Sequence, residues 1–257
     1  MKSCLTLSNI SKRYQDLDGE TLAISDFSYT FHKGSFTSIV GPSGCGKSTL
    51  LSVISGLEEA SSGNIFMDNS RLSKNNCNIG YMLQKDYLLD WRTVYSNILL
   101  GLEIREMISN KSLSYVDELL KKYELYDFKD KYPSQLSGGM RQRVALIRTL
   151  TIRPDILLLD EAFSALDYQT RLAVTDDVFR IIQAEKITTI MVTHDIPESI
   201  CMSDEIIVLS SRPGRIKNVH SISFDLKEHE DSTINRRKAP EFQKYFDLIW
   251  KELNNDE

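Results

Sequence analysis

Residues 41–49 read Gly41-Pro42-Ser43-Gly44-Cys45-Gly46-Lys47-Ser48-Thr49 and match the pattern G-x-x-x-x-G-K-[ST]. A strand-like run, residues 36–40, leads into them, and Leu50, Leu51, Val53 and Ile54 follow at helical spacing. Three glycines let the backbone wrap a polyphosphate at close range, with amide N–H groups turned inward. The helix start adds the positive end of its dipole. Lys47 then supplies a full charge to the β/γ oxygens, and the Ser48 hydroxyl is placed to ligate Mg²⁺. A bare glycine-rich turn could match by chance; one framed by a strand and a helix is a phosphate loop.

The other half of such a site lies downstream. Ile156-Leu157-Leu158-Leu159-Asp160-Glu161 is an apolar run ending in two acids. It puts carboxylates at the C-terminal edge of a buried strand, where ligand sites of open α/β sheets lie. Asp160 suits the Mg²⁺ shell, and Glu161 suits the base that polarises an attacking water. Residues 22–31, 79–83 and 188–192 are further compact β-type runs, and helical periods separate them: Leu113, Val116, Leu119, Leu120 and Tyr123, then Leu172, Val178, Phe179 and Ile182. This alternation predicts an α/β domain with a largely parallel sheet covered on both faces. Residues 91–153 break it with helix after helix, which predicts a helical lobe inserted between strands. Ala60-Ser61-Ser62-Gly63 and Asn75-Asn76 read as connectors, and Arg212-Pro213-Gly214 as a hairpin turn. Near the end, Phe242, Tyr245, Phe246, Ile249, Trp250 and Leu253 line one helix face, expected to pack on its own domain.

Composition bounds the rest. The chain has 257 residues, 41% of them hydrophobic and 26% charged, enough apolar side chain for a sizeable core. The net charge of −5 argues against general capture of nucleic acid. No apolar run exceeds five residues, so no transmembrane helix is expected, and the start lacks the apolar core of a secretory signal. Cys4, Cys45, Cys77 and Cys201 form no CxxC pair and read as free thiols of a reducing, cytoplasmic compartment. Cys45 lies inside the phosphate loop, where helix-terminal amides are expected to favour its thiolate.

Leu136-Ser137-Gly138-Gly139-Met140-Arg141-Gln142-Arg143, between the phosphate loop and the acidic strand, resembles the signature motif of ABC ATPases. Ser137, Gly138 and Gly139 open a helix whose free N–H groups can meet a γ-phosphate. In that family the phosphate belongs to ATP held by the other protomer. Gln84 resembles the glutamine that contacts Mg²⁺ or the attacking water and faces the transmembrane partner. Ser164-Ala165-Leu166-Asp167 resembles the D-loop. Val192-Thr193-His194-Asp195 resembles the switch, with His194 as γ-phosphate sensor; without the family, a solitary histidine after a strand reads as structural. Tyr14 resembles the aromatic residue that stacks on adenine.

The resemblance covers about residues 4–224. It implies a P-loop NTPase fold: a RecA-like, mostly parallel sheet lobe, an antiparallel β part and the helical lobe at about 91–153. Residues 1–229 would form the ATPase domain and 230–257 a C-terminal helical extension. Residues 81–86, 88–94, 136–144 and 209–216 resemble the nitrate/sulfonate/taurine importer branch, which usually has proline at the positions of Asp90 and Ala162. Neither position handles phosphate, though Asp90 bears on the permease contact. The implied protein is a transport-coupled ATPase using ATP and Mg²⁺ for a small imported solute, of the nitrate, sulfonate or taurine kind or a vitamin precursor. It would be a homodimer when ATP binds, peripheral on the inner face of the cell membrane. Its partners would be two transmembrane permease subunits and, indirectly, an extracytoplasmic solute-binding protein, with no nucleic acid. The alternatives are an efflux ATPase with a separate permease and a non-transport ABC ATPase. A DNA-repair version would need a long coiled coil, but only 90 residues separate Lys47 from Ser137. A ribosome-acting version would need two ATPase units, and a GTPase would need N-K-x-D.

Overall fold

The computed structural model describes residues 3–16, 19–68, 70–72, 77–227 and 230–254; the connector expected at Asn75-Asn76 lies outside the described residues. The chain begins with two long strands, β1 (Ser3–Asp16) and β2 (Gly19–His32), followed by β3 (Phe36–Val40) and helix α1 (Lys47–Ser55). Next come β4 (Ser62–Met67), β5 (Ser70–Arg71) and β6 (Ile79–Met82). Three helices follow, α2 (Val94–Ile104), α3 (Asn110–Lys122) and α4 (Gly138–Leu150), with short 3-10 turns between α3 and α4. The remaining elements are β7 (Ile156–Asp160), α5 (Tyr168–Glu185), β8 (Thr188–Val192), α6 (Ile196–Met202), β9 (Glu205–Leu209), β10 (Ile216–Ser221), α7 (Thr233–Lys238) and α8 (Pro240–Asn254).

The described strands form two sheets, β2-β1-β4-β5 and β10-β9-β3-β8-β7-β6. The first is antiparallel throughout. In the second, β9, β3, β8, β7 and β6 run parallel and β10 is antiparallel at the edge. Strands β3 and β8 are buried at every position, as a sheet covered on both faces requires. The period of two sorts their side chains to two cores. Leu157, Leu159 and Met191 face the helices α2 to α5. Ile156, Leu158, Ile190 and Val192 face α1 and the antiparallel sheet.

Between β6 and β7 every named element is helical. The helices α2, α3 and α4 share one core with the sheet, through Val94, Ile98, Val116, Leu120, Val144 and Leu150. The chain after β10 packs on a third core, where Ile249 of α8 meets Ile200, Ile206 and Val208. Phe242, Tyr245, Phe246 and Leu253 border it. Trp250 does not join them: it is 55% exposed and stacks on Phe246 with ring centroids 5.8 Å apart. The expected apolar face is therefore one residue too wide.

Candidate functional site: a phosphate cradle at the carboxyl ends of parallel strands

Loops leaving β3, β7 and β8 converge because these strands are neighbours and point the same way. They surround a cavity of about 590 Å³. Its floor is Ser43, Gly44, Gly46, Lys47, Ser48 and Thr49. Gly46 has φ 105°, and a Cβ there would stand 2.7 Å from both Ala23 O and Ile24 Cδ1, so only glycine lets the loop turn into α1 this tightly. Gly41 and Pro42 form the back of the loop. Their carbonyls accept from Lys47 Nζ at 2.7 and 2.9 Å, which holds the buried ammonium under the cradle. Its third N–H faces only Cys45 Sγ, 3.9 Å away.

Cys45 corrects an expectation. Its side chain is buried, and burial pushes the thiol up from its ordinary range despite the opposing charge of Lys47. A thiolate favoured by helix-terminal amides does not fit this geometry. Cys45 does not line the cavity. Cys45, Cys77 and Cys201 are free thiols; the Cys4 side chain lies outside the described residues.

Ser48 Oγ donates to Asp160 Oδ1 at 2.9 Å, and Tyr81 from β6 donates to Asp160 Oδ2 at 3.1 Å. Burial raises the Asp160 carboxyl, and the two hydroxyls work against that rise. Glu161 leaves β7 with φ 47°, a left-handed backbone uncommon outside glycine, and its N–H donates to Val192 O at 2.9 Å. The turn brings its carboxylate to the cavity wall, where Oε1 lies 3.2 Å from Nδ1 of His194, which leads off β8. Glu161 and His194, 33 residues apart in sequence, thus stand together in the lining of the cavity that Lys47 and Ser48 also line.

Tyr14 edges the same cavity. Its hydroxyl donates to Glu58 at 2.7 Å, and Lys12 Nζ lies 5.0 Å from the ring centroid. Gln84 is exposed outside the cavity lining and donates to Ser164 Oγ at 3.1 Å. Ser137, Gly138 and Gly139 lie elsewhere at the start of α4, where Ser137 Oγ accepts from the Met140 N–H at 3.3 Å. Asp167 caps α5 through Thr170 N–H, and the Thr170 hydroxyl together with that N–H lowers its carboxyl. None of these last four lines the cavity of its own chain.

Sequence reasoning missed Tyr81 and Arg212. Arg212 lines the cavity and donates from Nε to Gly44 O at 3.0 Å. Gly214 lies against the carbonyl of Cys45, so the hairpin turn between β9 and β10 braces the phosphate loop. The Arg-Pro-Gly turn was visible; its destination 168 residues away was not.

Residues 24–164 match the family model described as ABC transporter. The chain is 44% identical over 253 residues to YtlC of Bacillus subtilis (strain 168), an uncharacterized ABC transporter ATP-binding protein, covering 98% of this chain and 96% of that one. It is 37% identical to the aliphatic sulfonates import ATP-binding protein SsuB of Bacillus cereus, covering 91% and 93%. It is 34% identical to the nitrate import ATP-binding protein NrtD of a Synechocystis species, covering 95% and 93%. The dimeric structure of MJ0796, a bacterial ABC transporter cassette, superposes with a TM-score of 0.73 at 30% identity, covering 85% of this chain and 99% of that one. A post-hydrolysis state of the same cassette, bound to ADP and Pi, superposes with a TM-score of 0.72 at 30% identity, with the same coverage. A P-loop cradle, an acidic strand end and a signature helix, on a chain matched over nearly its whole length, make this protein a member of the ABC transporter family: an ATP-binding subunit with ATPase activity.

Proposed function

We propose that the chain is the ATP-hydrolysing subunit of an ABC importer for a small solute of the sulfonate or nitrate kind. Two copies close on two ATP molecules and reopen after hydrolysis, driving two separate permease subunits on the cytoplasmic face of the membrane. A solute-binding protein delivers the cargo from the other side. The importer class rests on relatives named for sulfonate and nitrate import. Among the described residues no helix is long and apolar enough to cross a membrane, so this subunit needs a partner to move a solute. Leu83, Tyr87 and Trp91, 40%, 59% and 75% exposed and close to Gln84 in sequence, offer that partner an apolar surface.

Within the site, Gly41 to Thr49 and Lys47 hold the phosphates, and Tyr14 receives the adenine. Ser137 to Gly139 and Asp167 meet the nucleotide of the other protomer, which accounts for their distance from the cavity of their own chain. Ser48 and Asp160 suit Mg²⁺, because a hydroxyl and a carboxylate 2.9 Å apart are hard oxygen donors at the cradle edge. No cluster of three or more His, Cys, Asp or Glu occurs among the described residues, and Mg²⁺ needs none when phosphate and water complete its shell. Gln84, which lies outside the cavity lining and donates to Ser164 Oγ, would add an amide oxygen to that shell. When bound, the ion supplies charge neutralisation on the phosphate oxygens. Glu161 orients and deprotonates the attacking water, and His194 holds the γ-phosphate and the Glu161 carboxylate in register. The observation that carries this reading is the Glu161–His194 pair at 3.2 Å lining the same cavity as Lys47 and Ser48.

Glu161→Gln tests the site. It retains ATP binding and loses about 10²–10⁴-fold in single-turnover hydrolysis, the range for a removed general base. Wild-type hydrolysis by that variant would refute the assignment. Affinity purification from membranes tests the importer class: a permease with a solute-binding protein is expected, and a permease that assembles and works without one would favour efflux.

A further inference from the structure

Arg171 sits in the first turn of α5, where a cation opposes the helix dipole. Its side chain is nevertheless only 25% exposed. It is drawn in by two partners on two different loops. One terminal nitrogen donates to Asp195 Oδ2 at 3.1 Å, and the other donates to the backbone carbonyl of Leu166 at 2.9 Å. Leu166 precedes Asp167, and Asp195 follows His194.

Both chain neighbours of His194 are fastened to the same cluster. Asp195 Oδ1 accepts from the Glu198 N–H at 2.9 Å and caps α6. The Asp195 N–H donates to Thr193 Oγ1 at 3.0 Å, and that hydroxyl donates to buried Glu198 Oε2 at 2.7 Å. His194 itself is exposed and reaches Glu161. At its other end, the loop holding Leu166 is tied to Glu161, because Ser164 Oγ donates to the Glu161 carbonyl at 2.9 Å.

We infer that Arg171 is a positioning residue that locks the Leu166–Asp167 loop to the His194 loop, so that a partner protomer pressing on the first sets the His194–Glu161 geometry in the second. The inference rests on the proposed roles of Glu161, His194 and the dimer. A lysine could keep the charge beside Asp195 but has no planar fork to span both loops. A partly exposed pair of this kind contributes little to stability, so its loss leaves a folded protein to assay.

The test uses the full chain with Arg171→Met and Arg171→Lys, beside Asp195→Asn, which keeps the helix cap and drops the ionic partner. Expected for Arg171→Met is a fall in kcat of about tenfold or more, the usual scale for a group that orients a reacting residue. MgATP affinity should stay within about twofold, because neither Arg171 nor its partners Leu166 and Asp195 line the phosphate cavity. Arg171→Lys should recover part of the loss, and the NMR chemical shifts of the His194 imidazole should move in Arg171→Met. In a His194→Ala background, Arg171→Met should cost nothing further in single-turnover rate. Unchanged kcat and His194 imidazole chemical shifts in Arg171→Met, or an equal additional loss in the His194→Ala background, would overturn the inference. If Glu161→Gln and His194→Ala hydrolyse at the wild-type rate, the reading of the site fails instead. Should Arg171→Met not fold, Asp195→Asn decides on the same readouts.

Discussion

Glu198 shows what a single buried acid does to this fold. One carboxylate oxygen takes the Thr193 hydroxyl and the other has no hydrogen-bond partner. Burial, joined by the charge of Asp195, pushes the acid up to about 7, against Thr193, Arg171 and His194. Its ordinary value is 4.5, so between about 4.5 and 7 the folded protein keeps a proton that the unfolded chain has lost. Stability from this group is complete below that window and falls as pH rises through it. Glu198→Gln removes the charge and should flatten the pH dependence of the urea midpoint across that window, by up to ~3 kcal/mol. An unchanged slope would count against the buried acid as its source. Cys45 and Cys201 are likewise governed by burial, the latter pushed up to about 12. Alkylation of the folded protein, followed by mass spectrometry, should leave both unlabelled with or without ATP and label them only after denaturation. Rapid labelling of Cys45 in the native chain would restore the reactive-thiolate expectation.

At the scale of elements, helix α8 separates what periodicity tells from what contact decides. Its apolar spacing marked six residues, yet the surface under it, made by α6 and β9, takes Ile249 in full and leaves Trp250 outside. Ile249→Ala should cost ~2–5 kcal/mol in a denaturant titration, since it empties a filled site. Trp250→Ala should cost roughly 0.5 kcal/mol or less, as an exposed substitution does. The reverse order would mean that α8 docks through its other edge. Asn97 on α2 carried no signal in the sequence, yet it is buried and donates to the carbonyls of Leu89, Arg92 and Thr93 while accepting from the Leu89 N–H. An isolated asparagine in a helical run says nothing about the loop it anchors.

For the whole molecule, the decisive expectation is a second copy. Glu161→Gln protein should run as a dimer with MgATP in size exclusion with light scattering. Adding Ser137→Arg should return it to monomer while ATP stays bound, because exposed Ser137 stands at the start of α4 where the partner's phosphate would meet it. A double variant that still dimerises would place the interface elsewhere. The α/β class, the inserted helices and the phosphate loop could be read directly from the chain. Each is a local matter: a strand, a glycine turn and a helix start within residues 36–54 need only their own backbone preferences to form a cradle for phosphate. The same holds for Asp160 and Glu161, whose run of apolar residues announces a buried strand ending in acids. Other features belong to tertiary structure alone. Arg212 reaches Gly44, Tyr81 reaches Asp160 and Arg171 bridges Leu166 to Asp195 because parallel neighbours carry distant segments to one sheet edge. The Cys45 sulfur points inward beside Gly41, and Trp250 points outward, because packed neighbours rather than residue type decide where a side chain can go.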